Sequence, residues 1–221
     1  MKLDYSKHQH FSFDLWLTLI KSNPEFKSKR NLLFKDFFEI NCSIDKVTET
    51  VRYYDVLCNA INEKTGLNID TNEIYYLILC ALNVNINEIS TAQLSLFYKA
   101  AELLFLEYKP QLLYPNIKIV FEEIAAQQKT INILSNTAFI KGTTLRKIIS
   151  YYELSDYFKF QIYSDEVGFS KPNPKIFEVV FDQINNIKPI QKKQVLHIGD
   201  NIVADYNGAL RFGFDAHLLK I

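Results

Sequence analysis

Between Ile117 and Leu218 the chain switches repeatedly between two hydrophobic periods, and this alternation limits its fold more than any other feature. Ile117–Gln128 has the spacing of an amphipathic helix, Thr130–Leu134 that of a strand and Thr143–Leu154 that of a helix. Lys159–Tyr163 reads as a short strand, Pro174–Gln183 as a helix and Gln194–Ile198 as a strand; Ile202–Phe212 is a helix and Phe214–Leu218 a last strand. Each parallel strand pair needs a crossover, usually a helix, so this order predicts an α/β fold with a doubly wound parallel sheet. A Phe-rich apolar run far upstream, His10–Trp16, reads as one more buried strand.

Residues from about 23 to 109 break the alternation and look helical throughout. Val47, Val51, Tyr54, Cys58 and Ile61 step by four and three along one helix face, and Gly66 follows as a stop signal. Asp70 with Glu73, and Ser90 with Gln93, have the spacing of capping boxes. Leu94, Phe97, Ala101, Leu104 and Tyr108 form a second stripe, which Pro110 ends, and Pro115 marks a linker. The expected organisation is therefore a core from residues 1–20 and 111–221, carrying an inserted all-helical cap from 21 to 110. With 48% apolar residues, 221 residues suffice to bury a sizeable core.

Charge and cysteines narrow the function class. The formal net charge is zero and there is no Lys/Arg run, so nothing suggests a nucleic acid or an anionic membrane as partner. No apolar stretch is long enough to span a bilayer, and the opening MKLDYSKHQH has no apolar leader segment. Cys42, Cys58 and Cys80 are odd in number and far apart, as expected of small apolar side chains in a reducing compartment. A cytoplasmic location is the expectation.

Ligands of open parallel sheets bind beyond the carboxyl ends of the strands. Four predicted strands end in polar residues: Asp14 with Thr18 further on, Ser135 with Asn136, Lys171 in "SDEVGFSKPNP", and Asp200 in "HIGDN" with Asp205 beyond. Alone, each has a plainer reading as a turn former, a cap or a solvated side chain. Together, on one edge of a parallel sheet, they suit phosphoryl transfer. An aspartate can attack phosphorus and form a covalent intermediate. A hard cation, Mg2+, would bridge Asp14, Asp200 and an anionic substrate. Lys171 and the Ser135 hydroxyl would hold phosphate oxygens, helped by amides of the loop after the first strand.

The motifs "FDLWLT", "ILSN", "GFSKPNPKIF" and "HIGDNIVADYNGALRFGF", in that order, resemble those of the haloacid dehalogenase superfamily of hydrolases, in the branch with a helical cap after the first strand. The resemblance covers nearly the whole chain and implies a Rossmann-like core. It implies Asp14 as nucleophile, Ser135, Asn136, Thr18 and Lys171 around the phosphate, and Mg2+ held by Asp14, Asp200 and the backbone carbonyl of Trp16. Asp205 would be a further ligand or a carboxylate just behind the metal. Most members of this superfamily are Mg2+-dependent phosphatases, so a small phosphorylated metabolite is the expected substrate.

One position departs from the phosphatase pattern D-x-D-G-T. Trp16 stands where the second aspartate acts as general acid and then base, and Leu17 stands at the glycine. Indole can do neither job. Three readings follow: a phosphatase with weak or unusual turnover, a phosphate-ligand or partner-binding protein without catalysis, and a 2-haloacid dehalogenase. Dehalogenases carry an aromatic residue here but usually lack the "GDN" metal motif that this chain keeps.

Overall fold

A computed structural model describes residues 6–220; residues 1–5 and 221, the outer ends of the expected core segments, lie outside the described residues. In chain order the strands are β1 His10–Phe13, β2 Ile20–Lys21, β3 Gln111–Leu112, β4 Thr130–Ser135, β5 Phe158–Tyr163, β6 Val195–Gly199 and β7 Asp215–Leu218. The α-helices are α1 Pro24–Phe37, α2 Ile44–Thr65, α3 Thr71–Ala81, α4 Thr91–Glu107, α5 Ile117–Ala126, α6 Gly142–Tyr151, α7 Ser164–Val167, α8 Pro174–Ile187 and α9 Gly208–Phe212.

Five strands form one parallel sheet in the order β5-β4-β1-β6-β7. β1 lies at its centre, with Phe13 level with Ile133 of β4 on one side and Ile198 of β6 on the other. The chain winds outward from β1 first through β4 and β5 and then through β6 and β7, so the strand order reverses at β1. Alternate residues supply the two faces. Ile131 and Ile133 join Phe121 and Ile148 on one side, while Leu134 and Val195 join Phe177 and Val180 of α8 on the other. Helices thus cover both faces, which is why the β1 residues are all buried, polar Ser12 and His10 included.

Strand boundaries differ slightly from the sequence reading. β1 ends at Phe13 rather than Trp16, because Leu15 O accepts three amides, from Thr18, Leu19 and Ile20, and folds the chain into a tight loop. Leu17 sits in that loop with φ of 55°. Two junction strands had no sequence signal. β2 and β3 pair antiparallel, Ile20 with Leu112 and Lys21 with Gln111, and tie together the two chain crossings between the sheet and helices α1–α4.

The caps of α1–α4 follow from side-chain chemistry. Asn23, Ser43, Asp70 and Ser90 accept amides of the first turns, and the last two complete reciprocal boxes with Glu73 and Gln93. Gly66 ends α2 at φ 69°, a left-handed conformation that a glycine adopts without strain. Phe34, Phe38, Tyr75 and Phe97 pack ring to ring, with Phe34 and Tyr75 centroids 5.2 and 4.9 Å from that of Phe97. Tyr75 also meets Phe139, 5.5 Å away beyond β4, so the apolar interior of α1–α4 is continuous with one face of the sheet.

A polar seam fastens the loop after α2 to the segment that follows β5. Asn68 N donates to Gly168 O at 3.2 Å, Ser170 N to Gly66 O at 3.1 Å and Asn173 Nδ2 to Gly66 O at 3.0 Å. Ser164 Oγ donates to Asn68 Oδ1 at 2.7 Å. Among the described residues no helix is long and apolar enough to cross a membrane.

Candidate active site

Asp14 follows the last residue of β1, and its amide donates to Ile198 O of β6 at 2.9 Å. That bond fixes its backbone at the centre of the carboxyl edge. Asp200 lies just past β6, Ser135 ends β4, and Lys171 comes from the segment after β5. A parallel sheet aligns these four strand ends, and the structure places Asp14, Lys171, Asp200 and Asp205 around one cavity.

Lys171 is the organising charge. It is 1% exposed, and its ammonium donates to Asp14 Oδ1 at 2.7 Å, Asp205 Oδ1 at 2.6 Å and Leu134 O at 2.8 Å. All three N–H donors are thus satisfied. Asn136 holds the lysine's own backbone: it accepts from Lys171 N at 2.7 Å and donates to Lys171 O at 2.9 Å. Its side-chain amide closes that clamp, and the residue also lines the cavity beside Asp14 and Lys171. Ser135 is fully buried and donates to Asn136 O at 3.1 Å. Thr18, also fully buried, donates to Asp200 Oδ1 at 3.5 Å, a long contact. Of the three, Asn136 lines the cavity, while Ser135 and Thr18 are buried beside it.

Asp205 owes its place to an irregular helix. Ile202–Asn207 forms a wide, π-type turn instead of the regular helix expected from Ile202, and Asn201 O accepts from both Asp205 N and Tyr206 N. Both Asp205 oxygens are engaged. Oδ1 takes Lys171 and His197 Nε2, the latter at 3.1 Å, and Oδ2 takes Asn201 N at 3.0 Å. Asp205 therefore supports Lys171 from the cavity wall. His197 was not singled out by sequence. It is fully buried on β6, with Nδ1 3.0 Å from Ser12 Oγ. A histidine inside the otherwise apolar "VLHIG" was the available signal.

Burial dominates the electrostatics. It lifts the Asp14 carboxyl to about 7; the Lys171 ammonium opposes the lift, and Asp205 and Asp200 add to it. Burial also raises Asp200, and Asp205 pushes in the same direction. At Asp205 burial is outweighed by Lys171 and His197, which hold it well below the usual carboxylate range. Burial works against the Lys171 ammonium too, but Asp14 and Asp205 overcome it and its pKa is raised. Burial pushes His197 down, so it is neutral at pH 7.

Three carboxylates and one ammonium leave an excess of two negative charges when all are ionised. Asp14, Asp200 and Asp205 each offer an oxygen within 4.8 Å of the others. Such a hard-oxygen set fits Mg2+, and the excess charge supplies the electrostatic reason to hold one. Asp14 and Asp200 fit as direct ligands. The loop's hydrogen bonds go to Leu15 O and, from Leu17 N, to Ile20 O, which leaves the Trp16 carbonyl as the candidate third oxygen. The Trp16 side chain is half-buried on the cavity wall, 6.2 Å from Phe105. The cavity has a volume of about 370 Å3 and lies between the sheet edge and helices α1 and α2.

This fold and this edge of carboxylates around a lysine define a family. The haloacid dehalogenase-like hydrolase model matches residues 9–213, and the chain belongs to that family. It is 38% identical over 60 residues to pyrimidine 5'-nucleotidase YjjG of Escherichia coli, covering 27% of this chain and 25% of that protein. It is 30% identical over 123 residues to the glyceraldehyde 3-phosphate phosphatase of Pyrococcus furiosus, covering 49% of each. The matches thus span between a quarter and a half of these curated relatives. Among solved structures it is similar to the HAD-hydrolase YfnB of Bacillus subtilis bound to magnesium, with TM-score 0.65 and 20% identity over 97% of this chain and 87% of that one.

Proposed function

We propose that this protein hydrolyses a small phosphorylated metabolite, with Asp14 as nucleophile and helices α1–α4 as a cap that selects the substrate. The observation that carries the reading is the buried Asp14–Lys171–Asp205 chain on the cavity floor, with Asp200 beside it. Lys171 occupies Asp14 Oδ1 and leaves Oδ2 to attack. In the first step a bond forms between Oδ2 and phosphorus, and the ester P–O bond breaks, its electrons leaving on the alcohol oxygen. Water then attacks phosphorus, giving its proton to bulk solvent, and the aspartyl P–O bond breaks to regenerate the carboxylate. Lys171 stabilises negative charge on the transferring group. Asp205 and His197 keep the ammonium aimed, and Asn136 fixes its backbone. Mg2+, held by Asp14, Asp200 and the Trp16 carbonyl, would screen repulsion between the nucleophile and the anionic substrate.

Trp16 supplies no proton to the leaving oxygen. It favours substrates whose leaving group needs little protonation, and it supports a second reading in which the site binds a phosphate ligand with little turnover. Assays of aryl phosphates with and without Mg2+, on the native chain and on Asp14→Asn checked for deamidation, test the proposal. Hydrolysis lost in Asp14→Asn is the expected result; full activity in that variant overturns covalent catalysis. Calorimetric titration of Mg2+ into the native chain and Asp200→Ala tests the metal site separately, and equal binding by the two overturns it.

A further inference from the structure

Arg30 of α1 shares the wall of the cavity that holds Asp14 and Lys171. It is 7% exposed. Its guanidinium lies over the Phe139 ring, 4.6 Å from the centroid, and its Nε and Nη2 donate to one acceptor, Asn31 Oδ1, at 3.2 and 3.0 Å. Among the described residues no carboxylate forms an ion pair with it. Both hydrogen bonds of the guanidinium go to that one oxygen, and the residue itself lines the cavity.

The acids on the same wall are engaged elsewhere. Asp55 pairs with Arg52 at 3.2 Å and meets Asn59 Nδ2 at 3.4 Å, and Glu63 accepts from Asn201 Nδ2 at 2.6 Å. Lys27, one turn before Arg30 on α1, adds a second cation to the wall. Burial acts against the charged form of Arg30, but a guanidinium keeps its proton at any ordinary pH. Asp55 acts on Arg30 only through space, without a direct ion pair, and a buried cation lacking such a pair is costly; an anion entering the cavity lowers that cost. Asn31 and Phe139 hold the planar fork in place beforehand, as recognition of a carboxylate or phosphate requires.

Building on the hydrolase reading above, we propose that Arg30 binds a second anionic group of the substrate, a carboxylate or another phosphate, distinct from the phosphate that Asp14 attacks. The substrate class is then a small phosphate ester with an anionic tail.

Calorimetry in Mg2+ buffer with four probes tests this: orthovanadate, glycerol 3-phosphate, 3-phosphoglycerate and 1,3-propanediol bisphosphate. The native chain is expected to bind one of the two anionic-tailed probes at least about 30-fold more tightly than glycerol 3-phosphate, the scale of a buried charged hydrogen-bonded pair. Which of the two gains identifies the tail. Arg30→Met brings the ratio close to one, and Arg30→Lys, which keeps the charge but loses the fork, lowers it in part. The lysine variant decides the matter if the methionine variant does not fold. Equal affinities in the native chain, or a ratio unchanged in the variants, overturn the subsite while orthovanadate binding leaves the hydrolase reading standing. No binding of any probe, orthovanadate included, overturns both.

Discussion

Replacing Lys171 by Met keeps an unbranched side chain of similar length and removes one buried positive charge. At an effective dielectric of about 20, a unit pair at the observed 2.6–2.7 Å is worth about 6 kcal/mol, so the two ion pairs total about 12 kcal/mol before desolvation. Desolvation of the ammonium consumes most of this. The net loss on breaking such a pair is about 3–5 kcal/mol, because the remaining carboxylates stay buried without a counter-charge. Urea unfolding followed by circular dichroism, without divalent cations, reads the loss directly. The pH dependence gives a second test. Asp14 is raised from 3.8 to about 7 in the folded chain, so its protonated form favours folding; that contribution is full below the unfolded value and is lost as pH rises through the folded one. Without Lys171 the folded value rises further, since the opposing charge is gone. The destabilisation should therefore be largest at pH 8 and smaller at pH 5. A loss below about 1 kcal/mol at pH 8, or one that grows on acidification, would refute the claim that Lys171 neutralises this carboxylate group.

Trp16→Asp, with Leu17→Gly to relax the left-handed loop position at φ 55°, should narrow the gap between fast aryl and slow alkyl phosphate hydrolysis by about 100- to 10,000-fold; steady-state rates on matched esters measure it, and native alkyl turnover as fast as aryl would show that another group gives the proton. His10, buried between Thr130 and Asn132, is lowered from 6.5 to about 4. The unfolded chain binds that proton first, so stability should fall by about 3 kcal/mol as pH drops from 6.5 to 4, and His10→Gln should flatten that part of the pH–stability curve. Gly199→Ala places a Cβ 2.2 Å from Asp205 Oδ2, so Asp205 must move. A stability loss of about 1–3 kcal/mol is expected, together with weaker Mg2+ binding by calorimetry; unchanged values for both would contradict the close approach.

Much of this architecture is visible in the residue order because the sheet is buried on both faces. Its strands read as short apolar runs, and polar residues are conspicuous where the runs stop, as at Asp14, Ser135 and Asp200. Caps are local chemistry, so Asp70 with Glu73 and Ser90 with Gln93 can be read directly. Roles set by distant partners cannot. Nothing near Asn136 indicates that its amide closes on the backbone of a residue 35 positions later. His197 and Ser12 meet only through strand register. Arg30 follows charged neighbours on α1 and looks like part of a solvated face; only the packing of Phe139 and Asn31 shows that it is buried. β2 and β3 are two residues each, too short for alternation to register. A π-type turn of six residues differs too little from a regular helix for its spacing to betray it.

That wide turn settles a conflict of phase. In a regular α-helix each residue advances by about 100° around the axis. Asp205 must point at Lys171, while Gly208 and Ala209 must fit against the neighbouring segment: a Cβ on Gly208 would stand 3.0 Å from Pro172 Cβ and 3.1 Å from Phe177, and Ala209 is fully buried. The extra residue between the two groups works like a vernier, letting one helix serve two bearings that a uniform pitch would not align. Deleting Tyr206 or Asn207, which lie between Asp205 and Gly208, would change the angle between the carboxylate and the packing face and swing the carboxylate away from the ammonium it supports. The spacing of this segment is therefore as much a determinant of the site as the aspartate itself.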